Sequence, residues 1–189
     1  LNAASSVTLA NSASFLNLDS TGMAVFGFEM MNDKIYVACA SSPNTVFVKS
    51  YSSTGNELNT WQIPAWFGAT TSRVSMCSGD NKIFVTWSDD PTTVQKLAAL
   101  DENLSLLGSV FSFDSLVSDV NQIKIEYHGG RVYAALTYYA PVIPPATGND
   151  NRLYLYAFNN DLTSPTLVYS AQNNFSPDTY FIQTAADEV

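Results

Sequence analysis

The chain has 189 residues and a formal net charge of −9, with 8 basic against 17 acidic side chains. The few basic residues are scattered, so the clustered positive face that nucleic-acid binding needs is missing, and an anionic membrane surface would repel the chain. Apolar residues make up 46% and aromatics 13%, which excludes a disordered chain, while no apolar run reaches the ~20 residues that span a bilayer.

Only 13% of residues are charged, and Ser, Thr and Asn supply the polarity. That balance is usual in secreted and surface β-proteins, whose many short turns use these residues. The opening LNAASSVTLANSAS lacks the basic start and unbroken apolar segment of a signal peptide. With Leu1 in place of Met, it is expected to be the front of a processed piece of a longer precursor. SVTLANSASFLNLDSTG reads as a strand, a turn and a strand.

From there a layout repeats. Three anchors, Lys34-Ile35-Tyr36, Lys82-Ile83-Phe84 and Arg131-Val132-Tyr133, stand 48 and 49 residues apart. Each follows a polar turn: Asn32-Asp33, Gly79-Asp80-Asn81 and Gly129-Gly130. Each turn follows an alternating strand marked by Phe26 and Phe28, Val74 and Met76, or Ile123 and Ile125. Alternation with period two puts each pair on one sheet face.

A loop and a third strand come next (TVFVKSY, TVQKLAAL, RLYLYAF), then the polar turns SSTGN, DEN and NND. Fourth strands close each unit: LNTWQI, SLLGSVFSF and SPTLVYS. The tail TYFIQTAADEV restarts the pattern, with Tyr180 and Ile182 in the places of Ile123 and Ile125.

Four antiparallel strands per ~40–50 residues is the unit of a β-propeller blade, and one blade buries its faces only against neighbours. The predicted fold class is therefore all-β, a β-propeller of ~48-residue four-stranded antiparallel blades. Three complete units run approximately over 23–70, 71–119 and 120–176, with partial blades at 1–22 and 177–189. The 189 residues then form a single propeller domain, closed by its own two ends, or part of a larger ring. A β-sandwich is the alternative, though sandwich strands need not repeat in register.

KIYVACASSPNTVFVKSYSSTGNELNTWQI resembles the SBBP-type β-propeller repeat. The match runs through Ile35-Tyr36-Val37, Phe47-Val48-Lys49, Thr54-Gly55-Asn56 and Trp61. The second unit keeps Ile83-Phe84-Val85 and Lys96-Leu97 but has Asp101-Glu102-Asn103 for the glycine turn; the third keeps Val132-Tyr133. The resemblance covers roughly residues 26–170 and implies a secreted or surface protein; no catalytic residue comes with it.

Catalytic chemistry finds little footing. The single histidine, His128, lies in the YHGGR turn, without a nucleophile setting such as G-x-S-x-G. One His and two separated Cys do not supply a zinc site. The adjacent acids Asp89-Asp90 and Asp101-Glu102 sit in turns, where acids are solvated or cap backbone amides. No sialidase-type Asp-box is present. No cofactor is expected; SDDPTT or TGNDN could lend oxygens to calcium, but neither is an EF-hand loop. Cys39 and Cys77 are either two buried small apolar residues or a disulfide. Asn103 and Asn174 head N-glycosylation sequons, of which Asn103 falls on a hairpin tip.

The longest connections, PAWFGATTS, SDDPTT, DSLVSDVN and YYAPVIPPATGND, are predicted to open on one face of the disc. They carry Trp66, Phe67, Asp89, Asp90, Tyr138 and Tyr139, the candidate binding residues, because loops on a rigid scaffold are where binding sites concentrate. Trp61 and Trp87 read instead as inter-blade core. The expected function is a non-enzymatic extracellular or cell-surface module for protein interaction or assembly, its partner another protein or copies of itself. A carbohydrate-binding, lectin-like propeller and a fragment of a larger secreted hydrolase are the alternatives.

Overall fold

A computed structural model describes residues 24–41, 45–64, 74–89, 94–113, 116, 120–141 and 149–173. The partial blades expected at 1–22 and 177–189 lie outside them. Twelve strands form three separate four-stranded sheets among the described residues. The first blade holds β1 (Ala24–Met31), β2 (Lys34–Ser41), β3 (Thr45–Ser52) and β4 (Glu57–Gln62). The second holds β5 (Ser75–Gly79), β6 (Lys82–Asp89), β7 (Val94–Asp101) and β8 (Leu106–Ser112). The third holds β9 (Val120–His128), β10 (Arg131–Pro141), β11 (Asn149–Asn159) and β12 (Thr166–Asn173). Each sheet is an antiparallel meander in chain order. The fold is all-β, built from propeller-type blades. β1 lies against β5 and β5 against β9, so the first strand of each blade forms the inner edge of the stack.

Turn chemistry sets this layout. Both central residues of each first hairpin have positive φ: Asn32 and Asp33, Asp80 and Asn81, Gly129 and Gly130. These are the residues that enter the left-handed region at least cost, and two in succession make a turn whose twist matches its strands. The second hairpin turn is also repeated. The Gly55, Leu104 and Leu162 amides donate to the Ser52, Asp101 and Asn159 carbonyls at 2.9, 3.0 and 2.9 Å. Gly55, Leu104 and Leu162 all have positive φ. For leucine that conformation costs on the order of 1–2 kcal/mol. Burial offsets it, because both leucine side chains are buried between blades.

Strand alternation then assigns each side chain to one of two seams. Ile83 and Val132, the equivalents of Ile35, point toward the preceding blade, a trailing face. Tyr36 and Phe84 point toward the following blade, a leading face. In the first seam, Tyr36, Ala38, Val46 and Val48 of blade one meet Ile83, Val85, Trp87, Ala98 and Leu100 of blade two. In the second, Cys77, Phe84, Leu97 and Ala99 of blade two meet Ile125, Val132, Ala134 and Phe158 of blade three. Trp61 and Trp87 meet edge to face at 5.8 Å across the first seam. Phe84 stacks on Tyr127 at 5.6 Å across the second, where Phe158 also meets Phe111 and Phe113 at 5.0 and 5.6 Å.

No disulfide joins the cysteines, which are both free and buried. Cys39 sits on the trailing face of blade one and Cys77 on the leading face of blade two, so the two thiols belong to different layers of the stack. They behave as small apolar side chains.

Close approach at the inner edge is tightest where Tyr127 covers Gly79: a Cβ added there would clash with the edge of the Tyr127 ring. Gly79→Ala is therefore expected to destabilise the chain by about 1–3 kcal/mol through overpacking. Urea unfolding checks this, and the cost should shrink when Tyr127 is also replaced by Leu.

Candidate functional site

The meander gives the stack two unlike rims. First and third strands run toward the tight turns; second and fourth strands run away from them. The connections that follow Ser41, Asp89 and Pro141, and those that follow β4 and β8, therefore all leave from the rim opposite the turns. Of the candidate binding residues, Asp89 closes β6 opposite Val94, and Tyr138 and Tyr139 lie near the end of β10 opposite Arg152 and Asn151. The backbone thus brings Asp89, Tyr138 and Tyr139 to the same rim, and their side chains lie outside the described residues. Trp66, Phe67, Asp90 and Asn174 lie wholly outside them. Asn103 is exposed in the β7–β8 turn on the opposite rim. His128 ends β9 opposite Arg131, on that same turn rim.

The turn rim carries a polar latch that sequence reasoning missed. Lys34 Nζ donates to the Glu102 carbonyl at 3.4 Å and to Asn103 Oδ1 at 3.3 Å, with the Glu102 carboxylate 3.7 Å away. Tyr36 Oη donates to the same Glu102 carbonyl at 2.9 Å. Asn32 Nδ2 donates to Asn81 Oδ1 at 2.9 Å and to Glu102 Oε2 at 3.4 Å. One seam along, Lys82 Nζ donates to the Asn160 carbonyl at 2.9 Å and Asn160 Nδ2 to Asp80 Oδ2 at 3.0 Å. In both seams a lysine at the head of a second strand reaches the second-hairpin turn of the next blade. Arg131 and Tyr133 occupy the corresponding positions on blade three. The exposed Lys34–Glu102 charge pair is worth little by itself; the repeated donation to a turn carbonyl fixes how the blades align.

At the inner edge, equivalent positions on β1, β5 and β9 hold Glu29, Cys77 and Glu126. Ser78 Oγ donates to Glu29 Oε2 at 2.8 Å, joining blade two to blade one. Burial raises the Glu29 pKa; the Ser78 hydroxyl opposes this, and the Glu126 charge adds to it. Burial also raises Glu126. It pushes the Cys77 thiol well up, with both carboxylates adding, so Cys77 is no activated nucleophile. Tyr127, under the same edge, is pushed up to about 12 by burial first and by the Asp80 carboxylate beside its hydroxyl.

No family model matches this sequence, and no curated protein matches it. Among solved structures, the chain is similar to a point mutant of the Synechocystis apocarotenoid oxygenase, at 6% identity and a TM-score of 0.47 over 81% of this chain and 40% of that one. It is similar to a chain of a nidogen/laminin complex at 13% identity and a TM-score of 0.44, over 79% of this chain and 49% of that one. A protein of unknown function from Bacteroides caccae is similar at 14% identity and a TM-score of 0.42, over 81% of this chain and 62% of that one. The chain thus spans between 40% and 62% of the length of these three structures. None of the three carries an activity or a partner across to this chain.

Tyr36→Phe removes one donor to the Glu102 carbonyl and leaves the ring in place. Phe84 shows that the second seam holds without that hydroxyl. The expected cost is about 0.5–1.5 kcal/mol in urea unfolding. Glu126 tests the inner edge. Its folded pKa lies above the ordinary 4.5, so the folded chain holds this proton more tightly than the unfolded chain. That contribution is complete below the ordinary value and is lost as pH rises through the raised one. Glu126→Gln should therefore raise Tm at pH 7, and the difference from the parent should close by about pH 4 as both states of the parent become protonated.

Proposed function

We propose that the protein is a non-enzymatic module of SBBP-type propeller repeats, extracellular or at a cell surface, that binds another protein or copies of itself through the rim opposite the tight turns. One observation carries this reading. The blades are seamed together, and the long connections leave from one rim, to which strand order also assigns the backbone of Asp89, Tyr138 and Tyr139. Binding residues concentrate on connections carried by a sheet scaffold, and aromatics among them make effective anchors. A net charge of −9 favours a partner with a basic contact surface over nucleic acid or an anionic bilayer.

The same aromatics and acids, Trp66, Phe67, Asp89, Asp90, Tyr138 and Tyr139, would also suit stacking on a sugar ring, which is the competing reading. A glycan array probed with the intact chain separates the two. Protein binding predicts no saturable signal on any sugar. A saturable signal that disappears in Trp66→Ala/Phe67→Ala, with Tm unchanged, would replace the interaction reading with the lectin reading.

A further inference from the structure

The fourth strand of each blade is the outer edge of its sheet, and among the described residues it pairs only with the third. Its far side presents a row of backbone donors and acceptors, which natural sheets shield with charge, proline or a bulge. Blade one is shielded by charge: Glu57 opens β4 and meets Lys49 Nζ at 2.9 Å. Blade two is shielded by irregularity: the β7–β8 ladder shifts between Leu97 and Ala99, and Gly108 takes a φ of 72° there.

β12 lacks both devices over most of its length. No charged side chain stands among its eight residues, TLVYSAQN. One bulge lies between its pairs with Leu155 and Tyr156; beyond it, five consecutive pairs run regularly from Leu155–Tyr169 to Asn151–Asn173. Leu167 shares the Tyr156 face of the sheet, and Tyr169 shares the Leu155 face. Leu167, Val168 and Tyr169 are 49%, 51% and 54% exposed, so apolar side chains flank this edge on both sides of the sheet. Single exposed apolar residues are ordinary on a surface, whereas three in succession on an open edge are a template for strand addition.

We propose that β12 is a self-association edge, where a second copy of this chain adds its own β12 antiparallel and extends the sheet across a twofold axis. Charge selects the place. With 17 acidic against 8 basic side chains, two copies repel over most of their surfaces and approach at least cost along an uncharged strip. Antiparallel pairing of a strand with itself is self-complementary, since each copy offers the other the same backbone groups and the same apolar side chains. It closes after two copies, so a dimer forms and no larger species. A single strand pair buries less than the ~1,000 Å² of a durable interface, so the association is weak and concentration-dependent. The edge lies apart from the loop rim and needs no partner there.

Sedimentation velocity of the intact chain from about 1 μM to about 1 mM is expected to show a reversible monomer–dimer equilibrium. Leu167→Lys/Tyr169→Lys sets like charges across the shared edge and should weaken the dimer roughly tenfold or more, with Tm unchanged because both side chains are half exposed. Leu106→Lys/Leu107→Lys, on the shielded edge of blade two, and Trp66→Ala/Phe67→Ala, in the connection after β4, should leave the dimer intact. A chain that stays monomeric at every concentration would overturn the proposal, as would species larger than a dimer. So would a dimer indifferent to the β12 substitutions, or one broken by Trp66→Ala/Phe67→Ala, which would assign self-contact to the loop rim. Should the β12 substitutions unfold the chain, hydrogen exchange of the unmodified chain decides. Outward amides of Tyr169–Asn173 should exchange more slowly as concentration rises, while those of β4 and β8 stay constant. Constant exchange at Tyr169–Asn173 contradicts the edge pairing.

Discussion

Everything in this molecule depends on the seam between blades. A four-stranded sheet has two faces, and strand alternation sends Ile83, Val85 and Trp87 one way and Phe84 and Thr86 the other. Neither of these faces is stable in water, so blade two needs a neighbour on both sides. Because inner strand packs on inner strand, the contact is close enough to demand glycine at Gly79 and to withdraw Glu29 and Glu126 partly from water. The turn rim is aligned by lysines reaching across the same seams, which leaves the opposite rim free for the long connections.

Much of the architecture is legible in the sequence, for physical reasons that differ by element. The three second strands announce themselves because they are buried on both faces, and their apolar anchors recur with the turns that precede them. Asn32-Asp33 and Asp80-Asn81 predict their hairpins because few other residues accept two successive positive φ angles. Trp61 and Trp87 are readable as core because both alternate with other seam residues. The second hairpin turns are only half legible. DEN and NND mark their places, but the left-handed residue is the leucine that follows, a choice that local preference opposes and only burial across the seam permits.

The latch is hidden for another reason. The acceptors that Lys34, Tyr36 and Lys82 share as a pattern are backbone carbonyls, those of Glu102 and Asn160, which every residue type carries, so no residue pattern advertises them. Lys34 and Lys82 recur at the heads of their strands, but the pattern does not show what they reach. The candidate binding residues stand differently. Their shared rim follows from topology alone, which is why Asp89, Tyr138 and Tyr139 could be placed together from strand order. Side-chain chemistry on connections depends on the particular course of each loop, which the alternation of the strands does not encode.

The end blades follow from the same logic. Leading-face residues of blade three repeat those that mate elsewhere, with Arg131 and Tyr133 at the latch positions, whereas the trailing face of blade one carries Lys49, Glu57 and Gly55. The seam itself is tested most directly by a double-mutant cycle on Phe84 and Tyr127, which stack face to face from adjacent blades. Replacing each with Leu, singly and together, and measuring urea unfolding should give a coupling of about 0.5–1.5 kcal/mol, whereas Phe84 and Tyr36, equivalent residues in different seams, should be additive. Additivity of Phe84 with Tyr127 would show that the two sheets do not meet there and would contradict the stacked-blade account.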